Sequence, residues 1–221
     1  MSKPVPFGAR KPRPLPPGWR WVRLGEVCTI NPPRPHNLGR SPEASTTFVP
    51  MEAVSEQIGA IVSPQIRLYR EVMNGYTYFE EGDVIWAKIT PCMENGKAAI
   101  ARGLLDGFAF GSTEFHVIRP TSATIPEFVW YFVRQPSFRQ EAARHFIGAV
   151  GQQRVPSTFL ENKPVPLPPL SEQRAIVARL EGQMAEVERL RAAAERQLEA
   201  VRALPGALLN QVFGGFEPPM E

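Results

Sequence analysis

A proline-rich segment that leads directly into a long helical pattern is the feature that most limits how this chain can fold. Four prolines lie between residues 164 and 169, and each fixes the backbone φ angle and removes a hydrogen-bond donor. This stretch is therefore expected to be extended. Ser171 is a suitable N-cap and Glu172 suits the first turn of a helix, so we expect a helix to begin at Ser171.

Beyond Ser171, apolar residues recur every three or four positions, as they do along one face of an α-helix. The stripe consists of Val177, Leu180, Met184, Val187, Leu190, Ala194, Leu198, Val201, Leu204 and Leu208. Up to Pro205 the pattern predicts a helix of about 33 residues, about 50 Å long at about 1.5 Å per residue. A narrow stripe of this length favours pairing with a second helix as a coiled coil. The alternative is a helix that folds back on its own domain.

Pro205 is expected to end this helix, and residues 207–213 to form a short terminal helix that Gly214 closes. The sequence thus divides into a basic, proline-rich tail at residues 1–14, expected to be disordered, a globular domain at 15–170, helices at 171–213 and a tail at 214–221. We expect the globular domain to be of the α+β class. Its predicted strands lie near residues 47–51, 82–90, 97–101 and 111–120, and its predicted helices at 126–134 and 137–146.

Charge and composition exclude several classes of protein. The net charge is +3, and residues 21–170 carry 14 basic and 14 acidic side chains, so net charge alone gives no evidence that the domain binds nucleic acid. We expect no signal peptide, because the N-terminal stretch lacks an apolar core, and no apolar run in the sequence is long enough to span a bilayer. The two cysteines, Cys28 and Cys92, lack metal-ligand spacing and suit a cytoplasmic protein.

Motifs for catalysis are missing from the sequence. Asn31-Pro-Pro-Arg34 resembles the Asn-Pro-Pro-aromatic motif of amino-methyltransferases, but Arg34 stands in place of the aromatic residue, and too few residues precede it to form a cofactor-binding unit. A loop is the better interpretation. His36, His116 and His145 have no partners at metal-ligand spacing and are expected to be surface or structural residues. We therefore predict that the chain is not an enzyme, has no cofactor and binds no metal.

Several segments together resemble one family, the DNA-specificity subunits of type I restriction-modification systems. The matching segments are Leu15–Glu26, Gly82–Ile85, Gly111–Phe115, Gly148–Arg154 and Val165–Val177, of which the last is the most specific. The resemblance covers about residues 15–215. Family members carry two target-recognition domains and two long helices that pair antiparallel, whereas this sequence has one of each, like a half-size subunit.

The resemblance implies a function in sequence-specific recognition of duplex DNA. It further implies partner methyltransferase subunits that methylate adenine with S-adenosylmethionine, a possible restriction subunit, and no membrane association. A homodimer with an antiparallel coiled coil would supply the second domain and recognise a bipartite, inverted target. The residues expected to form the dimer are Val177, Leu180, Met184, Val187, Leu190, Leu198, Val201 and Leu204. The alternative is a coiled-coil adaptor whose domain binds protein, with the aromatic residues of 128–132 as its binding face.

Candidate DNA-binding residues fall in polar loops and in a locally basic stretch. They are Lys88, Thr90, Asn95 and Lys97 between two predicted strands, Ser112 and Thr113 at the start of another, Arg144, and Gln152, Gln153 and Arg154 before the proline-rich segment. The first loop is either a DNA-contacting loop or an ordinary hairpin turn. For residues 152–154, which resemble a segment shared across the family, phosphate contact or scaffolding is favoured over base recognition.

Overall fold

The computed structural model describes residues 14–149 and 151–214. The predicted tails at 1–14 and 214–221 lie outside the described residues except for Pro14 and Gly214. The chain divides into two units, one that ends at Arg174 and one that begins at Ala175.

The described residues of the first unit form three β-sheets, in which β-branched and aromatic side chains are buried. Trp86, Phe79 and Phe110 are each almost completely shielded from solvent. One sheet pairs β1 (Arg20–Arg23) with β10 (Pro164–Leu167). The second has the order β2 (Cys28–Ile30), β9 (Phe115–Pro120), β6 (Val84–Ala87), β7 (Ala98–Ile100). The third has the order β4 (Gln65–Leu68), β3 (Ser45–Val49), β8 (Phe108–Gly111), β5 (Thr77–Glu80), with β3 and β8 parallel.

Among the described residues, six α-helices, most of them short, connect and cover these sheets. They are α1 (Leu24–Val27), α2 (Tyr69–Val72), α3 (Cys92–Asn95), α4 (Pro126–Arg134), α5 (Pro136–Ala143) and α6 (Ser157–Asn162). In α4, Val129 and Val133 are buried, and Phe128, Trp130 and Phe132 pack against the same core. These three rings are half-buried and pack on the core, so less of their surface is left for a protein-binding adaptor. The predicted α+β class is confirmed.

The proline-rich segment is extended, as predicted, because it forms strand β10. Val165 pairs with Val22 and Pro166 with Trp21 in an antiparallel two-stranded sheet. Alternating burial places Val165 and Leu167 in the core. A two-stranded sheet has only edges, so it accommodates residues that lack an N–H donor.

The long helix α7 differs from its prediction at both ends. It spans 44 residues, Leu170–Phe213. Its first backbone bond runs from Gln173 N–H to the carbonyl of Pro169, so the helix begins at Leu170 and Ser171 lies inside the first turn. Pro205 does not end the helix, and no separate terminal helix exists. A proline removes one backbone donor, at a cost of about 3 kcal/mol, and the flanking Ala and Leu residues have high helix propensity.

Gln173 ties the first turn of α7 to the rest of the first unit. Its side chain has no solvent exposure. Its amide group donates to the carbonyls of Ala123 and Pro168, and its oxygen accepts from Thr124 Oγ1 and from the backbone N–H of Ile125, all at 3.0 to 3.1 Å. All four hydrogen-bonding positions of the buried amide are thus satisfied.

Candidate nucleic-acid interface

Three connections from separate parts of the sequence meet beside the second sheet, and we call them the loop cluster. They comprise residues 88–97, 112–114 and 147–154, the last described except for residue 150. Backbone hydrogen bonds join them: Lys88 N–H donates to Glu114 O at 2.9 Å, and Thr90 N–H donates to Gln153 O at 3.1 Å. Ile147 and Arg154 exchange two further bonds of 2.9 and 3.0 Å. These bonds bring Lys88 and Thr90 together with the turn at residues 112–114 and with Gln153.

Arg154 and Glu114 form the electrostatic centre of the loop cluster. The guanidinium of Arg154 donates from Nε and Nη2 to the two carboxylate oxygens of Glu114, at 2.8 and 2.6 Å, and from Nη1 to the carbonyl of Gln152. This bidentate bond lowers the pKa of Glu114. Arg154 thereby joins two connections and its charge is paired, an arrangement that favours scaffolding over phosphate contact for this residue.

Lys88 lies beside the Arg154–Glu114 ion pair but, among the described residues, forms no ion pair itself. It directly follows β6 and is half-buried, and burial is the main cause of its lowered pKa. Glu114 acts in the opposite direction and Arg154 adds to the lowering. Within the part of the chain that the structure describes, the Lys88 ammonium takes part in no ion pair. Lys88 is thus a cation in the loop cluster that can bind an anion.

The rest of the first connection is more structural than the sequence suggested. It contains the helical turn α3, which the sequence did not predict, and Thr90 Oγ1 donates to Glu94 Oε2 at 2.6 Å. The ammonium of Lys97 donates to the carbonyls of Met51 and Val54 at 3.1 and 3.0 Å, so it braces a neighbouring turn. Asn95 is exposed and remains able to contact a ligand.

Ser112 and Thr113 do not begin a strand, which corrects the prediction for this segment. Strand β8 ends at Gly111 and β9 begins at Phe115. Between them the chain turns, with Phe115 N–H bonded to Ser112 O at 3.2 Å and Glu114 N–H to Ser112 Oγ at 3.2 Å. Serine favours such turns because its hydroxyl competes with the sheet for backbone donors. Thr113 is exposed in this turn.

A second basic feature lies on α5, next to α3. Arg144, exposed at the end of α5, lines a pocket of about 490 Å³ together with Arg139 and Gln140. Arg139 donates from Nη1 to the carbonyl of Glu94 at 2.5 Å, which joins α5 to the first connection. Arg139 was not among the predicted site residues. The signal that could have identified it is its membership of the locally basic stretch between residues 134 and 163.

His116 supports the loop cluster from the core side. It is 5% exposed, and its Nε2 lies 2.8 Å from the carbonyl of Val155, while Nδ1 lies 3.0 Å from Asn31 Nδ2. A carbonyl can only accept, so Nε2 carries the proton and Nδ1 accepts from the Asn31 amide. Burial lowers the pKa of His116 below its ordinary 6.5. The prediction of a structural role for His116 is confirmed.

Asn31 has a structural role as well. Its Oδ1 accepts from the backbone N–H of Val117 at 3.0 Å, so the side chain is occupied inside the protein. This agrees with a loop rather than an amine-binding motif.

Across residues 14–149 and 151–214, no three His, Cys, Asp or Glu side chains come together as metal ligands. In the same ranges no helix is long and apolar enough to cross a membrane.

The predicted dimer residues lie along the solvent-exposed side of α7 with two exceptions. Val177 is only 7% exposed and Leu180 is half-buried. The remaining side chains are each more than half exposed: Met184, Val187, Leu190, Leu198, Val201 and Leu204. The second unit therefore carries a continuous apolar stripe that is not covered in the single chain.

A family model and two similar proteins identify the family to which this chain belongs. A family model described as the type I restriction modification DNA specificity domain matches residues 16–196. The chain is 38% identical over 200 residues to the EcoEI specificity subunit and 37% identical over 212 residues to the EcoAI specificity subunit, both of type I restriction enzymes of Escherichia coli. The matches cover 90% and 95% of this chain, which spans only 33% and 36% of those proteins.

Solved structures agree with the sequence comparison. One is a chain from a structure of complex assembly and conformational transition in a type I R-M system, with a TM-score of 0.77 and 31% identity. Another is the HsdS subunit from Thermoanaerobacter tengcongensis, with a TM-score of 0.73 and 30% identity. Each match covers 94% of this chain and 53% of the other. The sequence relatives are named specificity subunits, in keeping with the expectation that this chain is not an enzyme. Because the family model spans most of its length, the chain belongs to the type I restriction-modification DNA specificity family.

Proposed function

We propose that this chain recognises a short sequence in duplex DNA on behalf of a type I adenine methyltransferase. The observation that carries the proposal is the loop cluster, in which three distant polar connections meet at one place in a chain of the specificity family. Lys88, Asn95, Thr113 and Gln152 are the residues proposed to contact the bases or phosphates directly. Arg154 and Lys97 are proposed to position the backbone around them, because their charges are already engaged.

We propose that the chemistry belongs to partner subunits. A methyltransferase subunit would bind S-adenosylmethionine and transfer the methyl group to adenine, and a restriction subunit is a further possible partner. The chain would supply the site of binding and a surface on which the methyltransferase assembles. The relatives support this division of labour, since they are named as specificity subunits of restriction enzymes.

We propose that two copies pair antiparallel through α7, so that the assembly recognises two inverted half-sites separated by an unread spacer. A helix of 44 residues is about 66 Å long at about 1.5 Å per residue. One turn of DNA measures about 34–36 Å, so a helix of this length suits half-sites that lie a turn or more apart. The exposed stripe of α7 supports the pairing.

Equilibrium binding to duplex DNA, with and without the cognate methyltransferase subunit, tests the function. We expect the complex to bind a duplex with the target sequence more tightly than a scrambled duplex, and the affinity to fall with rising salt. A protein-interaction adaptor would join the methyltransferase without changing its preference among duplexes.

Arg144→Ala should weaken binding to both duplexes alike if Arg144 contacts phosphate.

A further inference from the structure

The heptad repeat of α7 places one charged residue, Arg191, at a core position, whereas the stripe residues Leu190 and Leu204 fall at positions that flank the core. Written as heptads, one core position of the stripe recurs every seven residues as Val177, Met184, Arg191, Leu198, Pro205 and Val212. The other core position recurs as Leu180, Val187, Ala194, Val201 and Leu208. Arg191 is thus the only charged side chain in the seam between residues 177 and 212, and Ala194, one core position later, is the smallest one.

We infer that Arg191 sets the register in which two copies of α7 pair antiparallel. In this register Arg191 of each copy lies opposite Ala194 of the other copy, and the two-fold axis passes between residues 192 and 193. The inference rests on the homodimer proposed above and adds its alignment. A polar side chain at one core position specifies register in coiled coils at some expense of stability.

The first argument for this register is space. The small side chain of Ala194 leaves room for the aliphatic stem of Arg191. The stem can extend across Ala194, and the guanidinium then reaches the edge of the interface. The other layers are then apolar. They pair Val177 with Leu208, Leu180 with Pro205, Met184 with Val201, and Val187 with Leu198.

The second argument is charge. Within one chain Arg191 Nε already donates to Glu195 Oε1 at 3.1 Å. In the proposed register, Arg191 of the second copy arrives at the level of Ala194, next to the same carboxylate. The two arginines therefore lie among Glu188 and Glu195 of both copies and offset the repulsion between these carboxylates. Towards each end, Glu181 faces Arg202 of the other copy, an attractive pair.

A shift by one heptad in either direction removes these matches. Shifted one way, Arg191 meets the branched side chain of Val201 and comes next to Arg202, while Glu188 faces Arg202 and Glu195 faces its own counterpart, so that attraction and repulsion both occur. Shifted the other way, Glu181 faces Glu195, Glu188 faces its own counterpart, and Arg174 faces Arg202. Like charges at such positions are destabilising, so charge disfavours the second shift, and the first shift is disfavoured because Arg191 loses its position opposite Ala194.

Distances between spin labels measure the register directly. Single labels are introduced into the full chain as Gly182→Cys, Arg196→Cys or Ala203→Cys, three positions on the face opposite the stripe. Cys92 is replaced by Ser. Cys28 is retained because it is buried and burial raises its pKa to about 12, which keeps it unreactive. The Cys92→Ser protein without added cysteine checks that no label attaches elsewhere.

Positions 182 and 203 lie equally far from the proposed axis, so their interspin distances should agree. The two labels at position 182, one in each copy, should lie about 32 Å apart along the helix axis, and so should the two at position 203. The two labels at position 196 should lie about 11 Å apart, at about 1.5 Å per residue. Unequal distances at 182 and 203 would place the axis elsewhere and overturn the register while keeping the dimer. Equal distances at all three positions would show that the helices pair in parallel and would likewise overturn the proposed register. Absence of any interspin distance would refute the homodimer itself.

A substitution tests the role of Arg191. In Arg191→Leu the seam becomes fully apolar, and we expect the single distance at position 182 to split into several as neighbouring registers become populated. Arg189→Leu is the matched control, since Arg189 lies on the outer face and pairs with Glu186 of its own chain. An unchanged single distance in Arg191→Leu would show that Arg191 does not set the register.

Discussion

At the scale of single residues, the structure separates side chains that build the loop cluster from those that remain able to bind. Arg154, Lys97 and Thr90 resemble DNA contacts in the sequence, yet each is engaged by a partner inside the protein. Lys88 is a cation of the same cluster without an ion pair among the described residues. This difference cannot be read from residue type, because it depends on which loops the fold brings together.

Arg154→Ala and Lys88→Ala are expected to affect DNA binding differently. Because Glu114 already neutralises Arg154, Arg154→Ala should weaken binding to all duplexes by disturbing the loops, with little change in the salt dependence. Lys88→Ala should lower the slope of log affinity against log salt by about 0.9, the value for one lost phosphate contact. Titrations at several salt concentrations measure both slopes. A reduced slope for Arg154→Ala would instead assign a phosphate contact to Arg154.

His116 gives the domain a predictable pH dependence. The folded protein keeps His116 neutral, with its pKa below the ordinary 6.5, whereas the unfolded chain binds a proton near that value. The unfolded state therefore gains protons first, and the free energy of unfolding should fall as the pH drops below about 6.5. Denaturant titrations between about pH 7.5 and pH 5.5 test this against His116→Gln, which cannot titrate. Equal pH dependence of the two proteins would contradict the assignment.

At the scale of elements, the junction of β10 and α7 is held by strand pairing on one side and by Gln173 on the other. The extended segment has no helix because of its prolines, and α7 begins as soon as they end. Gln173 then fixes the first helical turn within the first unit through four hydrogen bonds. The first residues of the long helix are thus part of the globular domain.

Gln173→Leu should destabilise the first unit by at least about 2 kcal/mol, because the substitution leaves several buried donors and acceptors without partners. Ser171→Ala, at an exposed position in the same turn, should change the stability by less than about 0.5 kcal/mol. Thermal or chemical denaturation compares the two. Similar small effects would show that Gln173 is not essential to the junction.

Much of the element content was predictable because its signals are local. The strands around Val84 and Val117, the helix at 126–134 and the extended prolines follow from periodicity and backbone restriction. Other features depend on distant partners. Strand β4, the turn α3 and the pairing of Arg154 with Glu114 have no local signature. Helix α7 continues through Pro205 because the helix propensity of the neighbouring residues outweighs the loss of one hydrogen bond.

At the scale of the whole molecule, the chain joins a globular α+β unit of the specificity family to a helix with an exposed apolar stripe. The chain spans about a third of its curated relatives and about half of the solved subunits it matches. Those comparisons establish the family. The pairing of two copies and a bipartite target remain proposals, supported by the stripe and by the charges that flank it.

Mapping of methylated adenines tests the central proposal most directly. DNA is sequenced from cells that express the cognate methyltransferase subunit, with and without this chain. We predict methylation at two short inverted sequences with a constant spacer, only when the chain is present, and loss of that pattern in a variant with altered loop-cluster residues such as Lys88→Ala and Asn95→Ala. Methylation that is unaffected by the chain, or that follows no common sequence, would contradict a role in DNA recognition.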